Sequence, residues 1–331
     1  MKQIDDLKII DPTKNDFLSL LNKSDLKELL NQIKDVILVY RDNLNLDDIV
    51  TFGLEIEYEG IYKSMVDFYI NENYPKWSTD KDRSLESGGE IISDILYDNL
   101  RNWQDLKKIC CFLKEKGANM DINAGGHIHV GAHILGNNPS NWLKFLKVYI
   151  LYESILFKFA YGNKSLPRKN ILFYAKPIAE ELLSSIYSFQ NSDQNYNLDK
   201  YLPIQKRDQA VSFKYVRFRD NRKLFGNTIE FRFPNGTKEE IIWQNNINAL
   251  TKLVLSFQKD NFDEEYIDYK LRTREVSSKN NFSFYNEINI TNALELVDLI
   301  FDNNLDKIYF LKQYLKIPKD NKKFKVKRII R

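Results

Sequence analysis

Apolar side chains recur along this chain at two spacings, and the spacing separates predicted helices from predicted strands. Apolar residues three and four positions apart over residues 14–45 predict a first helix. Over Phe52–Glu59, apolar residues take the even positions and Glu55, Glu57 and Glu59 the odd ones, which predicts a strand. The same reasoning predicts further helices at 61–69, 101–116, 140–161, 177–189, 237–254, 293–301 and 305–315, and strands at 84–96, 120–134, 211–219 and 227–233.

These predicted elements follow one another without a regular strand–helix–strand rhythm, and the last two strands resemble a hairpin. An α+β fold with a mainly antiparallel sheet flanked by helices is therefore predicted. We predict three parts: an N-terminal helical segment at 1–45, a central domain at 46–260 and a C-terminal helical extension with a basic tail at 261–331.

Composition narrows the classes of protein that the chain can represent. Its 331 residues are 43% apolar, so it can build a full core. The 49 basic and 46 acidic residues give a net charge of +3, which does not favour nucleic acid as a partner. No apolar run approaches the roughly 18 residues of a membrane span. Adjacent Cys110 and Cys111 exclude a disulfide scaffold, so we expect a reducing, cytoplasmic location without membrane contact.

The three glutamates of the first predicted strand, Glu55, Glu57 and Glu59, share one face. One interpretation is a strand with a solvated face. However, like charges repeated along a strand face repel one another, and a divalent cation would remove that conflict.

All three histidines, His127, His129 and His133, fall in one short stretch. His127 and His129 point the same way from a predicted strand, and His133 is a candidate for that face as well. The pair is either a half-buried structural pair or two imidazole ligands of one metal. Gly125 and Gly126 fit the close approach of backbone or ligand.

The strand at 227–233 puts Glu230 and Arg232 on one face. They form either a simple ion pair or a metal ligand beside a guanidinium that grips phosphate. Lys214 and Arg217 on the preceding strand could add positive charge. Glu90 opens an apolar strand, where an unpaired charge is unfavourable, while Glu86 is read as a surface residue.

Carboxylates, imidazoles and an arginine on one sheet face suggest Mg²⁺ and a polyphosphate rather than a structural zinc site. No Gly-rich loop of the P-loop or Rossmann type is present in the sequence.

In this order, the stretches FGLEIEYEG, DRSLESGGEIIS, GGHIHVG and TIEFRFPNGT resemble the motifs of the putative amidoligases. These are ATP-dependent carboxylate–amine ligases related to glutamate–cysteine ligase and glutamine synthetase. The resemblance covers about residues 50–258. It implies that the central domain is an amidoligase-like catalytic domain, whose glutamine-synthetase-like sheet binds ATP and Mg²⁺ and whose substrates are a small-molecule or peptide carboxylate and an amine.

Matching the motifs position by position implies roles for individual residues. The metal ligands would be Glu55, Glu57, Glu90, His127 and Glu230. The nucleotide would contact Lys214, Arg217, Arg232 and His127, and the catalytic residues would be Arg232, Glu230 and His129.

Two other functions remain open from the sequence. The paired acids and histidines also suit a metal-dependent phosphodiesterase or nuclease with a two-metal site. A non-catalytic module that binds nucleotide or metal is the second alternative.

Overall fold

The computed structural model describes residues 25–82, 84–85, 87–120, 123–190, 200, 202, 208–217, 226–273, 285 and 288–316. Within these residues, six strands pair antiparallel to form one open sheet, in the order β2-β3-β1-β4-β6-β5. They are β1 (Phe52–Glu59), β2 (Ser78–Asp80), β3 (Gly88–Ile92), β4 (Gly126–Gly131), β5 (Val211–Ser212) and β6 (Thr228–Phe231). The prediction of an α+β fold with an antiparallel sheet is confirmed.

Ten α-helices flank the sheet in the described part of the chain. They are α1 (Asp25–Asp35), α2 (Lys63–Asn73), α3 (Leu100–Glu115), α4 (Pro139–Ala160), α5 (Ile171–Tyr174), α6 (Ala179–Gln190), α7 (Glu240–Val254), α8 (Glu264–Thr273), α9 (Ile290–Ile300) and α10 (Asn304–Leu315). Among these described helices, none combines the length and the apolar character that crossing a membrane requires.

The alternation in β1 gives the sheet one apolar and one polar face. The apolar face is fully covered by helices. Trp103 of α3 stacks on Phe52 with ring centroids 5.2 Å apart, and Tyr149 of α4 lies 6.5 Å from the ring of Phe231. The core side chains on this face are Leu54, Ile56, Tyr58, Ile91, Ile128, Val130, Ile229 and Phe231. The polar face carries the candidate site.

Helix α4 lies at the centre of the helical layer and contacts α6, α7, α8, α9 and α10. Every residue from 145 to 160 is buried, and most of them are apolar, as expected for a helix at the centre of a core. Its buried charges are neutralised or hydrogen-bonded. Lys147 contacts Glu264 at 2.9 Å, and Glu153 accepts hydrogen bonds from the backbone of Ile178 and Ala179. The C-terminal helices thus pack on the same core as the sheet.

The predicted first helix at 14–45 is too long. Residues 14–24 lie outside the described residues, the helix ends at Asp35, and residues 36–45 form no regular structure. Their backbone groups instead bond to side chains of other helices. Val39 N donates to Tyr309 Oη at 2.9 Å, and Gln244 exchanges hydrogen bonds with both backbone groups of Arg41. Tertiary hydrogen bonds therefore outweigh the helical periodicity of this stretch.

The predicted hairpin of 211–219 and 227–233 is also only partly formed. Of the first strand, only Val211 and Ser212 pair with β6, and Lys214 and Tyr215 form a turn. Residues 218–225 lie outside the described residues. Strand β2 and helices α5 and α8 have no counterpart among the predicted elements.

Gly126→Ala should destabilise the protein by about 1–3 kcal/mol, because an added methyl group overpacks the core. A Cβ at Gly126 would lie 2.4 Å from Trp243 Cη2, and Trp243 is fixed by a hydrogen bond from its indole to Thr237 O. The matched change is Gly53→Ala in the neighbouring strand, where a Cβ meets its nearest atom at 3.5 Å. It should be neutral or slightly stabilising. Equal stability of both variants in urea denaturation would contradict this packing.

Candidate active site

The antiparallel register aligns acids and imidazoles on the polar face of the sheet. Glu55 of β1 lies opposite His127 of β4, and His129 lies opposite Glu230 of β6. His127 Nδ1 is 2.5 Å from Glu55 Oε2, and His129 Nε2 is 3.0 Å from Glu55 Oε1. Both oxygens of one carboxylate are therefore held by imidazoles.

Three of these residues could share a cation. Glu55, His129 and Glu230 each offer one ligand atom, and these atoms lie within 4.8 Å of one another. They come from three neighbouring strands, so the sheet itself fixes their spacing. His129, predicted as a catalytic residue, thus lies with the predicted metal ligands Glu55 and Glu230.

The charges in this cluster stabilise one another. Burial alone would raise the pKa of Glu55, but hydrogen bonds from His127 and His129 hold it well below its usual range. Burial likewise works to lower the pKa of His129, while its contact with Glu55 raises it above the ordinary value. Glu55 is therefore ionised over the whole physiological pH range.

Glu57 is fixed by groups around the cluster. Its Oε2 accepts a hydrogen bond from Gly125 N and lies 3.5 Å from Arg168 Nη1. Its Oε1 lies 3.2 Å from His127 Nε2. A continuous line of contacts therefore runs from Arg168 through Glu57 and His127 to Glu55.

Arg168 was not predicted from the sequence. It is buried, and its Nη2 donates to Arg232 O at 3.0 Å. The sequence feature that marks the position of Arg168 is Gly125, because a Cβ at Gly125 would lie 1.2 Å from Arg168 Nη1. The glycine pair did indicate a close approach, but the residue that approaches comes from a loop whose sequence has no periodicity.

Arg232 forms the ion pair with Glu230 that was one of its two predicted roles. The Glu230 carboxylate is buried, while the Arg232 side chain remains partly exposed. Arg232 also lines a cavity above the sheet, so it can contact a ligand from that position.

Glu90 of β3 lies in a row of acids. It is opposite Glu57 on one side and Asp80 of β2 on the other. Burial raises the pKa of Glu90 to about 8, helped by the negative charges of Glu55 and Asp82. Like charges at opposed positions destabilise a sheet, and a proton on Glu90 relieves that repulsion.

A polar cavity of about 270 Å³ lies above these rows. Four acids, three bases, one histidine, one serine and one tyrosine line it: Glu55, Asp82, Glu90, Glu230, Lys81, Lys214, Arg232, His127, Ser212 and Tyr215. Lys81, Asp82, Ser212 and Tyr215 were not among the predicted site residues. A second cavity of about 210 Å³ shares Glu55 and Tyr215 with it.

A larger cavity of about 760 Å³ is lined by residues of the loop at 45–47 and of the C-terminal helices. Its three lysines already contact acids within the protein: Lys252 with Asp306, Lys259 with Asp302 and Lys307 with Asp298. None of the predicted site residues lines it. The candidate chemistry therefore belongs to the two smaller cavities.

The remaining predicted residues have different positions. Lys214 lines the polar cavity from a turn rather than a strand. Arg217 is outside both linings, and its Nε donates to Gly226 O at 3.1 Å. The idea that His133 shares the strand face is wrong. It lies in a 3₁₀ helix at Ala132–Leu135, with its Nε2 2.7 Å from Ile49 O.

Comparison with known families agrees with this site. A family model described as a putative amidoligase enzyme matches residues 25–254. The chain belongs to the putative amidoligase family. Membership suggests a ligase-type enzyme. A comparison with curated proteins found no match. The matched region of this amidoligase begins at α1. The domain boundaries predicted at residues 45 and 260 stay a prediction.

The donor set of the amidoligase site fits a hard divalent cation. Glu55 and Glu230 offer carboxylate oxygens beside His129, in a cavity whose lining also carries Glu90 and Asp82. Mg²⁺ prefers such oxygen ligands and is commonly shared between carboxylates and phosphates. Glu57 and His127, also predicted as ligands, contact one another at 3.2 Å.

Glu90→Gln should remove a pH-dependent loss of stability in metal-free buffer. Folded protein keeps the Glu90 proton up to about pH 8, whereas the ordinary pKa is 4.5. Between these values the folded state binds more protons than the unfolded state, so the free energy of unfolding falls as pH rises. From about pH 5 to pH 8, the melting temperature of the wild type should decline more steeply than that of Glu90→Gln. The control Glu72→Gln, at an exposed residue of α2, should keep the wild-type slope. Parallel slopes for wild type and Glu90→Gln would refute the assignment.

Proposed function

We propose that this amidoligase joins a carboxylate to an amine in a reaction driven by ATP and Mg²⁺, releasing ADP and phosphate. The observation that carries the proposal is the polar cavity, which Lys81, Lys214 and Arg232 line together with the acids of the sheet. A lining with both signs of charge suits a metal–polyphosphate ligand, because the acids bind the cation and the bases bind the phosphates.

The proposed chemistry follows from the poor reactivity of a carboxylate towards amines. An oxygen of the substrate carboxylate attacks the γ-phosphorus of ATP, ADP leaves, and an acyl phosphate forms. The amine nitrogen then attacks the carbonyl carbon, and the C–O bond to phosphate breaks. The protein contributes positioning and charge neutralisation, as in other phosphoryl transfers.

Each part of the site has a role in this scheme. Glu55, His129 and Glu230 would hold Mg²⁺. Glu90 would be a further ligand once it loses its proton. Bound Mg²⁺ would neutralise charge on the phosphates. Arg232 and Lys214 would stabilise the transferred phosphoryl group. Arg168 and Glu57 would keep His127 and Glu55 in place.

The antiparallel sheet, with acids on one face that could hold a metal ion, supports the glutamine-synthetase-like fold that the motifs imply. It equally accommodates the alternative of a two-metal phosphodiesterase. The two functions differ in their need for ATP, which makes them separable by experiment.

Mg·ATP should raise the melting temperature of the wild type, by linkage worth about 2.7 kcal/mol at a hundredfold excess over Kd. Glu55→Gln and Glu230→Gln should each abolish this shift, because each removes a charged ligand from the shared cation position. The matched control is Glu59→Gln, on the same face of β1 but bonded to Asn123 and outside the cavity lining. It should keep the full shift. A full Mg·ATP shift in both test variants would show that the metal assignment is wrong.

Release of ADP should require a carboxylate, an amine, Mg²⁺ and ATP together. The measurement is a coupled ADP assay with pooled carboxylates and pooled amines, each omitted in turn. Hydrolysis of bis(p-nitrophenyl) phosphate without ATP would instead identify a phosphodiesterase. Stabilisation by Mg·ATP without turnover on any pool would indicate a non-catalytic module.

A further inference from the structure

The second cavity, of about 210 Å³, lies beside the shared cation position and has no role in the scheme above. Its floor is Gly53, which faces the same side of β1 as Glu55 and lies opposite His129. A Cβ at Gly53 would lie 3.5 Å from Ser93 Oγ, an ordinary contact. The glycine is therefore not required by packing or by a positive φ, and a larger side chain there would extend into the cavity that Gly53 lines.

The charges of this cavity come from two acids and one imidazole, and His129, whose pKa its contact with Glu55 raises against the effect of burial, offsets the charge of Glu55. Its lining contains the acids Glu55 and Asp94 and contains neither lysine nor arginine among the described residues. Both Glu55 oxygens already contact imidazoles. In the described part of the chain, the Asp94 carboxylate has no hydrogen bond or ion pair, which leaves it available to a cationic ligand.

The rest of the lining is apolar or already hydrogen-bonded. Ser93 Oγ accepts from Leu54 N and donates to Asp94 O, and Thr228 Oγ1 contacts His129 Nδ1. Few donors or acceptors therefore remain for a polar ring such as adenine. The apolar wall comprises Ile92, Ile95 and Tyr215, since the side chains of Phe52 and Leu54 are buried on the opposite face of the sheet. The Tyr215 ring already has a cation against it, because Lys214 Nζ lies 4.8 Å from its centroid.

We propose that this cavity is the subsite for the amine co-substrate, an inference that rests on the proposed function. The ligand is a primary amine on a compact apolar group. It enters as an ammonium that pairs with Asp94, while its apolar part fills the space over Gly53. At about 210 Å³ the cavity is smaller than the roughly 300–1,000 Å³ typical of sites for drug-sized ligands, so the apolar group is small.

The position suits the second half of the reaction. Glu55 and Tyr215 line both cavities, so an amine in one lies next to an acyl phosphate in the other. The ammonium first gives up one proton. Its nitrogen lone pair then forms the C–N bond, phosphate leaves with the electrons of the C–O bond, and the nitrogen loses a second proton. One of the two protons ends on phosphate and the other in solvent, and the products are the amide and hydrogen phosphate.

The test uses isobutylammonium as the probe and isobutanol as its uncharged match. Saturation-transfer NMR on the full chain measures binding with Mg²⁺ and a non-hydrolysable ATP analogue, and again without nucleotide. Two variants address the cavity: Gly53→Val fills the floor, and Asp94→Asn removes the charge. Asp48→Asn, at an exposed acid outside both cavities, is the control.

We expect wild type to bind isobutylammonium in preference to isobutanol. Gly53→Val and Asp94→Asn should each weaken binding about tenfold or more, since one blocks the space and the other leaves the cation unpaired. Asp48→Asn should bind as wild type, and all variants should keep the Mg-nucleotide thermal shift. If Gly53→Val fails to fold, Asp94→Asn decides the question.

Three results would overturn the proposal. Wild type could fail to bind the ammonium, or the test variants could bind it as well as wild type does. Alternatively, Gly53→Val could lose the Mg-nucleotide shift, which would assign the cavity to the nucleoside. Failure of the proposed function has a different signature: wild type itself shows no Mg-nucleotide shift. In that event, the measurement without nucleotide decides the cavity assignment. If the Gly53 and Asp94 variants still weaken ammonium binding, the assignment is supported; if they do not, it is refuted.

Discussion

Repulsion between carboxylates on one face of the sheet is the constraint on which the rest of the site depends. Two like charges about 5 Å apart repel by about 3 kcal/mol at an effective dielectric of about 20. The register places Glu57 opposite Glu90, so the repulsion cannot be avoided by small side-chain movements. The structure offsets it in two ways: imidazoles and guanidinium groups contact Glu55, Glu57 and Glu230, and Glu90 keeps a proton.

Two adjacent glycines leave room on the two faces of the sheet, and one of them lets a cation reach Glu57. Gly125 admits the guanidinium of Arg168 on the polar side, and Gly126 admits the indole of Trp243 on the apolar side. Arg168 is then fixed through Asn235, whose Oδ1 accepts from Arg168 N at 2.8 Å. The electrostatics of the site and the packing of α7 on the sheet consequently depend on two neighbouring positions in the sequence.

The features that the sequence predicts are those that appear in it as alternation with a period of two residues or as a short motif. Alternation in β1 identified the acids, and the spacing of His127 and His129 put both imidazoles near Glu55. Register is not encoded in that way, because it depends on contacts between distant segments. The sequence therefore could not tell that His129 rather than His127 would join Glu55 and Glu230. Arg168 lies in a loop without periodicity, so only the structure reveals it.

An acyl phosphate survives only where water is kept away from it, so a ligase of the proposed kind needs a covered site. The cover here includes the segment at 208–217, which contributes Ser212, Lys214 and Tyr215 to the polar cavity. Among the described residues, this segment is held by the pairing of β5 with β6, by the hydrogen bond from Arg232 N to Ala210 O, and by backbone hydrogen bonds of Lys176 with residues 208 and 210. Arg217 N also donates to Asn227 Oδ1 at 2.9 Å. Ala210, Val211 and Phe213 of this segment are fully buried, so it also packs on the core. The same residue, Arg232, thus supports the cover through its backbone and lines the cavity with its side chain.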